Sequence, residues 1–144
     1  MNAHATAGWS DEAGVLVLPS GRRVRGSGAR RQASATPTLG VFVLDHEPPA
    51  TAWEQLWLPW LDFGLPLNPV LAIDTLRSVH ERLACDRVEV SCAAGRGRTG
   101  CALSVLAIID GIEPTHAVAY VRSHYRSDAV ETAEQEQWIA GLVL

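Results

Sequence analysis

The chain has 144 residues, 47% hydrophobic and 19% charged, a balance that suits one globular domain with a real core and excludes a disordered chain. A formal net charge of −4 speaks against general nucleic-acid binding, and no apolar run reaches the ~18 residues of a membrane span. Three cysteines, an odd number, follow an N-terminus with neither a charged nor an apolar leader segment, so free thiols in a reducing cytoplasm are expected.

Residues 1–13 are small and polar and are expected to fray. Val15-Leu16-Val17-Leu18 reads as a first strand, Pro19-Ser20-Gly21 as a turn, and Arg22 to Arg25 as the returning strand of a hairpin. From Gly26 to Pro37 the chain reads as loop. Arginines 22, 23, 25, 30 and 31 fall in this region, as a solvated edge ribbon or as an attractor of anionic substrate at a site mouth. Leu39 to Leu44 is a continuous apolar run, a buried central strand closed by Asp45-His46, and Trp53 to Leu58 is another short strand. Gly64 and the prolines between Leu58 and Pro69 make a loop. Asn68-Pro69 opens a helix, with apolar residues at 70, 71, 73, 76, 79 and 83, ending near Cys85-Asp86.

Arg87 to Ser91 alternates as a strand should, and Cys101 to Ile109 is almost uninterruptedly apolar, a buried helix ending at Asp110-Gly111. Glu113-Pro114 opens the next helix, with Ala117, Val118, Val121 and Tyr125 on one side. A last helix is expected over 128–144, with Trp138, Ile139 and Leu142 inward. Strands alternating with helices give a single-domain α/β fold in three layers, a mainly parallel central sheet flanked by helices, with strand 87–91 at its middle. The loop after that strand then lies at a carboxyl edge, where open α/β sheets bind ligands.

That loop is Ser91-Cys92-Ala93-Ala94-Gly95-Arg96-Gly97-Arg98-Thr99-Gly100. Gly95 and Gly97 permit a tight curl and leave the N–H groups of Ala93, Ala94, Gly95, Arg96, Gly97 and Arg98 uncovered. Those groups and the following helix N-terminus converge on one point, an anion site. Arg98 can add a bidentate grip on a tetrahedral oxyanion, and a cysteine at the base of such a cradle is favoured as thiolate, a nucleophile.

These residues resemble the signature of the cysteine-based protein phosphatases, the protein-tyrosine and dual-specificity enzymes: His-Cys-x-x-Gly-x-x-Arg-Ser/Thr. Cys92, Gly95, Arg98 and Thr99 match, and Ser91 replaces the histidine. The resemblance extends over residues 39–140. A nucleotide-binding Walker loop is excluded, because it requires a lysine and all twelve basic residues are arginine. Rhodanese-type sulfurtransferases lack the Gly-x-Arg-Thr-Gly register. The missing lysine also hints at a GC-rich genome and a bacterium.

The resemblance implies hydrolysis of phosphate monoesters through a phosphocysteine intermediate, with no cofactor. Substrates would be a phosphorylated protein (phosphotyrosine, or phosphoserine and phosphothreonine) or a small phosphate ester. Trp60-Leu61-Asp62-Phe63-Gly64 resembles the family's Trp-Pro-Asp loop, with Leu61 in place of proline, which makes Asp62 the general acid. Asp45, ending a predicted strand, is the alternative. Thr99 would help the thiolate leave, or simply cap the helix. Glu131-Thr132-Ala133-Glu134-Gln135 resembles the Gln-Thr-x-x-Gln loop that orients the hydrolytic water. With glutamate at its first position, Gln135 becomes the better candidate and Glu131 the other.

Arg96, inside the loop, is similar to a basic residue of the lipid-phosphatase branch, which favours phosphoinositides. Cys85 and Cys101 read as core or helix-end residues, with a protective disulfide to Cys92 as the other possibility. Ser91 supplies no imidazole, so a weaker hold on the thiolate and slower turnover at mildly acidic pH are expected. So short a chain leaves a shallow, dual-specificity-like cleft. A different class stays open: a catalytically inactive module that binds phosphorylated partners. Ser91, Leu61 and Glu131 favour it, while Cys92, Arg98 and Asp62 together oppose it. The five histidines show no metal-ligand spacing, so no metal is expected.

Overall fold

Strand 88–92 lies at the centre of the sheet, because its alternate valines need partners on both sides. The computed structural model describes residues 8–28 and 35–144. Arg30, Arg31 and residues 1–7 of the segment expected to fray lie outside the described residues. In chain order the elements are β1 (Val15–Val17), β2 (Arg23–Gly28), β3 (Leu39–Phe42), β4 (Glu54–Trp57), α1 (Pro69–Arg82), β5 (Val88–Cys92), α2 (Gly97–Ile109), α3 (Pro114–His124) and α4 (Ala133–Ala140). The sheet runs β1-β2-β5-β3-β4, with only β1 antiparallel. Among the described residues no helix is long and apolar enough to cross a membrane.

Register decides the two faces. Leu39 pairs Val88 and Val41 pairs Val90, all four fully buried, and α2 packs against β5 and β2. Residues 97–108 of α2 are all buried, as a helix apolar on every side must be. It is the hub on which α1, α3 and α4 pack. On the far face the partners are Arg25 with Glu89 and Ser27 with Ser91. Extended chain covers this face among the described residues: Trp9 lies on the Arg25 guanidinium, 3.9 Å from ring centroid to carbon, and Trp53 lies against Gly40.

Three elements differ from the sequence expectation. Gly26-Ser27-Gly28 is not loop but the end of β2, paired with 90–92 of β5. Glycine is required there by close approach: a Cβ on Gly26 would meet the Tyr125 ring at 2.6 Å, and one on Gly28 the Ala94 backbone at 2.9 Å. The last helix spans 133–140 rather than 128–144. Val130 at φ +64° breaks the chain before it, and a Thr132–Gln135 capping box starts it. In α1, capped by Asn68, the core takes Ala72, Leu76 and Val79, whereas Val70 and Leu71 are 72% and 51% exposed.

Of the described arginines of the hairpin, Arg22 and Arg23 are half-buried and Arg25 is buried, so they do not form a solvated ribbon. Arg25 is 1% exposed, bonded to Glu89 at 2.7 Å, Glu12 at 3.3 Å and the Ala35 carbonyl at 2.6 Å, so it is a buried strut between β2 and β5. Pairing and hydrogen bonding on every side are what make such burial tolerable.

Candidate active site

The cysteine loop is shaped by backbone packing. β5 delivers Cys92 buried at the sheet edge, and α2 begins only five residues later, at Gly97. Gly95 turns at φ +74°, where a Cβ would lie 2.7 Å from the Ser27 backbone, so only glycine fits. Two side chains draw the loop's carbonyls outward: the Tyr125 hydroxyl donates to the Gly95 oxygen at 2.6 Å, and Arg126 donates to the Ala94 oxygen at 3.3 Å. Burial pushes the Tyr125 phenol up to about 12, so it stays a donor at neutral pH.

At the base of the loop Cys92 Sγ accepts from the Gly95 N–H at 3.3 Å and from Thr99 Oγ1 at 3.0 Å. Thr99 therefore turns to the sulfur, not to a helix cap. Cys101 is fully buried in α2, and burial pushes its thiol up and keeps it protonated. All three cysteines are free, with Cys85 exposed.

Arg98, 5% exposed, reaches across the mouth. Its guanidinium lies 3.4 Å from Asp62 Oδ1, 3.9 Å from Asp45 Oδ1 and 3.4 Å from the Trp60 carbonyl. Both candidate acids are thus at the site, but they differ. A hydrogen bond from His46, at 2.8 Å, holds the Asp45 carboxyl below its ordinary value, so it is kept ionised. Asp62 instead lines a shallow mouth of about 190 Å³ together with Phe63, Cys92, Ala93, Ala94, Arg96, Gly97, Arg98 and Glu131.

The 131–135 segment divides its two candidates. Glu131 lies at the mouth, its carboxylate so close over Gly97 that a side chain there would collide with it. Gln135 does not reach the mouth. It is fully buried, its oxygen accepting from the Glu131 and Thr132 N–H groups at 2.8 and 3.2 Å, and its amide nitrogen donating to the Gly64 carbonyl at 3.0 Å. Gln135 is thus turned inward and does not line the mouth, whereas Glu131 does. Arg96 is half-exposed between two carboxylates, 3.6 Å from Glu131 and 3.9 Å from Asp128.

Residues 27–144 match the protein-tyrosine phosphatase family, from the end of β2 through the whole of this constellation. The chain belongs to that family. Two uncharacterized proteins of Methanocaldococcus jannaschii, MJ0215 and MJECL20, are 37% and 36% identical over 86 residues, 58% of this chain. The chain spans about half the length of these curated relatives, 52% and 56%. Among solved structures it is similar to Tk-PTP in its active form, 27% identical with TM-score 0.61, over 74% of this chain and 80% of that one. Human DUSP28 has the same fold, at 22% identity and TM-score 0.66 over 88% and 94%.

Sequence reasoning missed Tyr125 and the strained Val130. Tyr125, at the C-cap of α3, reads as core in the sequence, so only its hydroxyl's geometry reveals that it braces the loop. Val130, a β-branched residue at positive φ, is held by its own N–H to the Arg96 carbonyl at 3.2 Å and by Arg122, which donates to the Ala129 and Val130 carbonyls at 2.8 and 2.7 Å. No sequence signal marks it.

Proposed function

We propose that this protein-tyrosine phosphatase family member hydrolyses phosphate monoesters in two covalent steps, with aryl phosphates of the phosphotyrosine type as substrates. The carrying observation is that Cys92 Sγ, doubly hydrogen-bonded, shares one mouth with Arg98 and Asp62. In the first step the thiolate attacks phosphorus, an S–P bond forms as the P–O bond breaks, and Asp62 gives its proton to the leaving oxygen. Arg98 and the loop N–H groups of 93–98, apart from that of Gly95, which donates to Cys92 Sγ, hold the equatorial oxygens as their charge redistributes. In the second step water attacks phosphorus, its proton passes to the Asp62 carboxylate, and the S–P bond breaks. Thr99 Oγ1 donates to the departing thiolate, and Glu131 at the rim orients the water.

The phosphotyrosine reading is favoured over a phosphoinositide one by Arg96. Glu131 and Asp128 flank its charge, so no excess positive potential is left for a headgroup with several phosphates.

The test is a pH–rate profile with p-nitrophenyl phosphate in EDTA, for wild type, Cys92→Ser and Asp62→Asn. Turnover abolished by the first change, and the loss of the basic limb with the second, is expected. Tight vanadate binding without turnover in the wild type would instead favour a phosphate-reading module.

A further inference from the structure

The loop that carries Asp62 is held at many points. Leu61 N–H donates to the Leu65 carbonyl at 3.3 Å, Gly64 N–H to Leu61 at 2.9 Å and Leu67 N–H to Pro59 at 3.0 Å, and Trp60 bridges Pro66. Trp60 is buried whole, edge-on to Trp138 with ring centroids 5.9 Å apart. Its indole N–H donates to the Gly64 carbonyl at 2.9 Å, the same oxygen that accepts from Gln135. Phe63, between Asp62 and Gly64, sits at φ +58°, a left-handed conformation that a non-glycine residue keeps only when its surroundings hold it.

We infer that Gln135 is a positioning residue for Asp62: through the Gly64 carbonyl it fixes the acid loop over Arg98. Its amide orientation follows from its neighbours. Two backbone N–H donors, of Glu131 and Thr132, face one end of the side chain, so the oxygen must lie there and the NH2 group must face Gly64. One buried side chain thus joins two tasks, capping α4 and pinning the strained turn that aims the carboxylate. The Gly64 oxygen, with both lone pairs satisfied, anchors the turn to α4 and to Trp60 together. The inference rests on the reading of Asp62 as proton donor.

The two tasks separate by substitution. Gln135→Glu keeps an oxygen acceptor for the α4 cap, the usual acidic partner of a capping box, but removes the donor to Gly64. Gln135→Met keeps the volume and removes both. Each is compared with wild type and Asp62→Asn on phenyl phosphate, a poor leaving group, and 2,4-dinitrophenyl phosphate, a good one, with thermal unfolding recorded for all. A missing general acid slows poor leaving groups selectively, by ~10²-fold or more when removed outright.

The expected result is that Gln135→Glu, which sets a buried carboxylate oxygen against the Gly64 carbonyl, unfolds below the wild-type temperature and loses phenyl phosphate turnover at least ~10-fold more than dinitrophenyl phosphate turnover. Gln135→Met should show the same selectivity change with a lower unfolding temperature. Combining Gln135→Glu with Asp62→Asn should bring no further selectivity loss. An unchanged leaving-group selectivity in both Gln135 variants, beside a large change in Asp62→Asn, would overturn the inference and leave Asp62 as the acid. No selectivity change in Asp62→Asn would overturn the reading of Asp62 and the inference with it.

Discussion

The cysteine loop and the acid loop meet at Arg98, yet they are built by different means. Residues 92–98 are formed by backbone fitting backbone: Gly95 against Ser27, Gly28 against Ala94, and an α2 N-terminus directly behind. Residues 60–66 carry their own backbone hydrogen bonds but are docked by side chains from elsewhere, Trp138 and Gln135 from α4 and Arg98 from α2. The first design gives an anion site that cannot relax without breaking the sheet edge. The second leaves Asp62, the proposed proton donor, in a position that depends on a few replaceable contacts. Damage to the first should therefore remove phosphate binding and chemistry together, and damage to the second should remove proton donation alone.

Gly95→Ala is the harshest test of the first half. A left-handed φ costs ~1–2 kcal/mol for alanine, and the new Cβ has no room beside Ser27. Vanadate affinity and kcat should fall together by ~10²-fold, as expected for a misplacement near 1 Å at the reacting centre. Retained vanadate affinity would show that the loop tolerates a different path. Trp60→Phe tests the second half by removing one donor to the Gly64 carbonyl. Phenyl phosphate turnover should drop ~10-fold while vanadate affinity stays within about twofold. Equal losses in both would merge the two regions into one.

How much was legible follows the same division. The strand, the glycine curl and the buried helix are contiguous in sequence, so Cys92, Arg98 and the loop amides could be read directly. The Trp60–Gly64 motif pointed to Asp62, the proposed acid, but gave no sign of the contact that anchors its loop, because Gln135 lies 71 positions away from Gly64. Gly26 to Gly28 misled, since glycine more often punctuates than pairs. Here the missing side chains admit Tyr125 and Ala94 against a strand. The late start of α4 was equally hidden, because the left-handed turn falls on Val130, a residue whose propensity argues against it.

Smaller effects sharpen the comparison. Tyr125→Phe keeps the ring over Gly26 and removes the hydrogen bond to Gly95, so vanadate affinity should weaken ~5-fold, the worth of one such bond. Leaving-group selectivity should not move. Asp110→Asn acts far from both loops, where Asp110 joins Ser20 to His80 at 2.7–2.8 Å. Burial raises its carboxyl, but the His80 and Ser20 bonds outweigh it and the net displacement is downward. A depressed carboxylate contributes stability above its unfolded value of about 4, and that contribution is lost as pH falls through the lower folded value. Asp110→Asn should therefore lower the unfolding temperature at pH 7, with the difference from wild type closing below about pH 4 and kcat unaffected.

The most direct test of the two-step account is to acid-quench wild-type protein during turnover of an aryl phosphate and map the covalent phosphate by peptide mass spectrometry. The account predicts one phosphoryl group on Cys92, accumulating with a burst of phenol and absent in Cys92→Ser. Turnover that survives in Cys92→Ser, or phosphate never found on the cysteine, would contradict it.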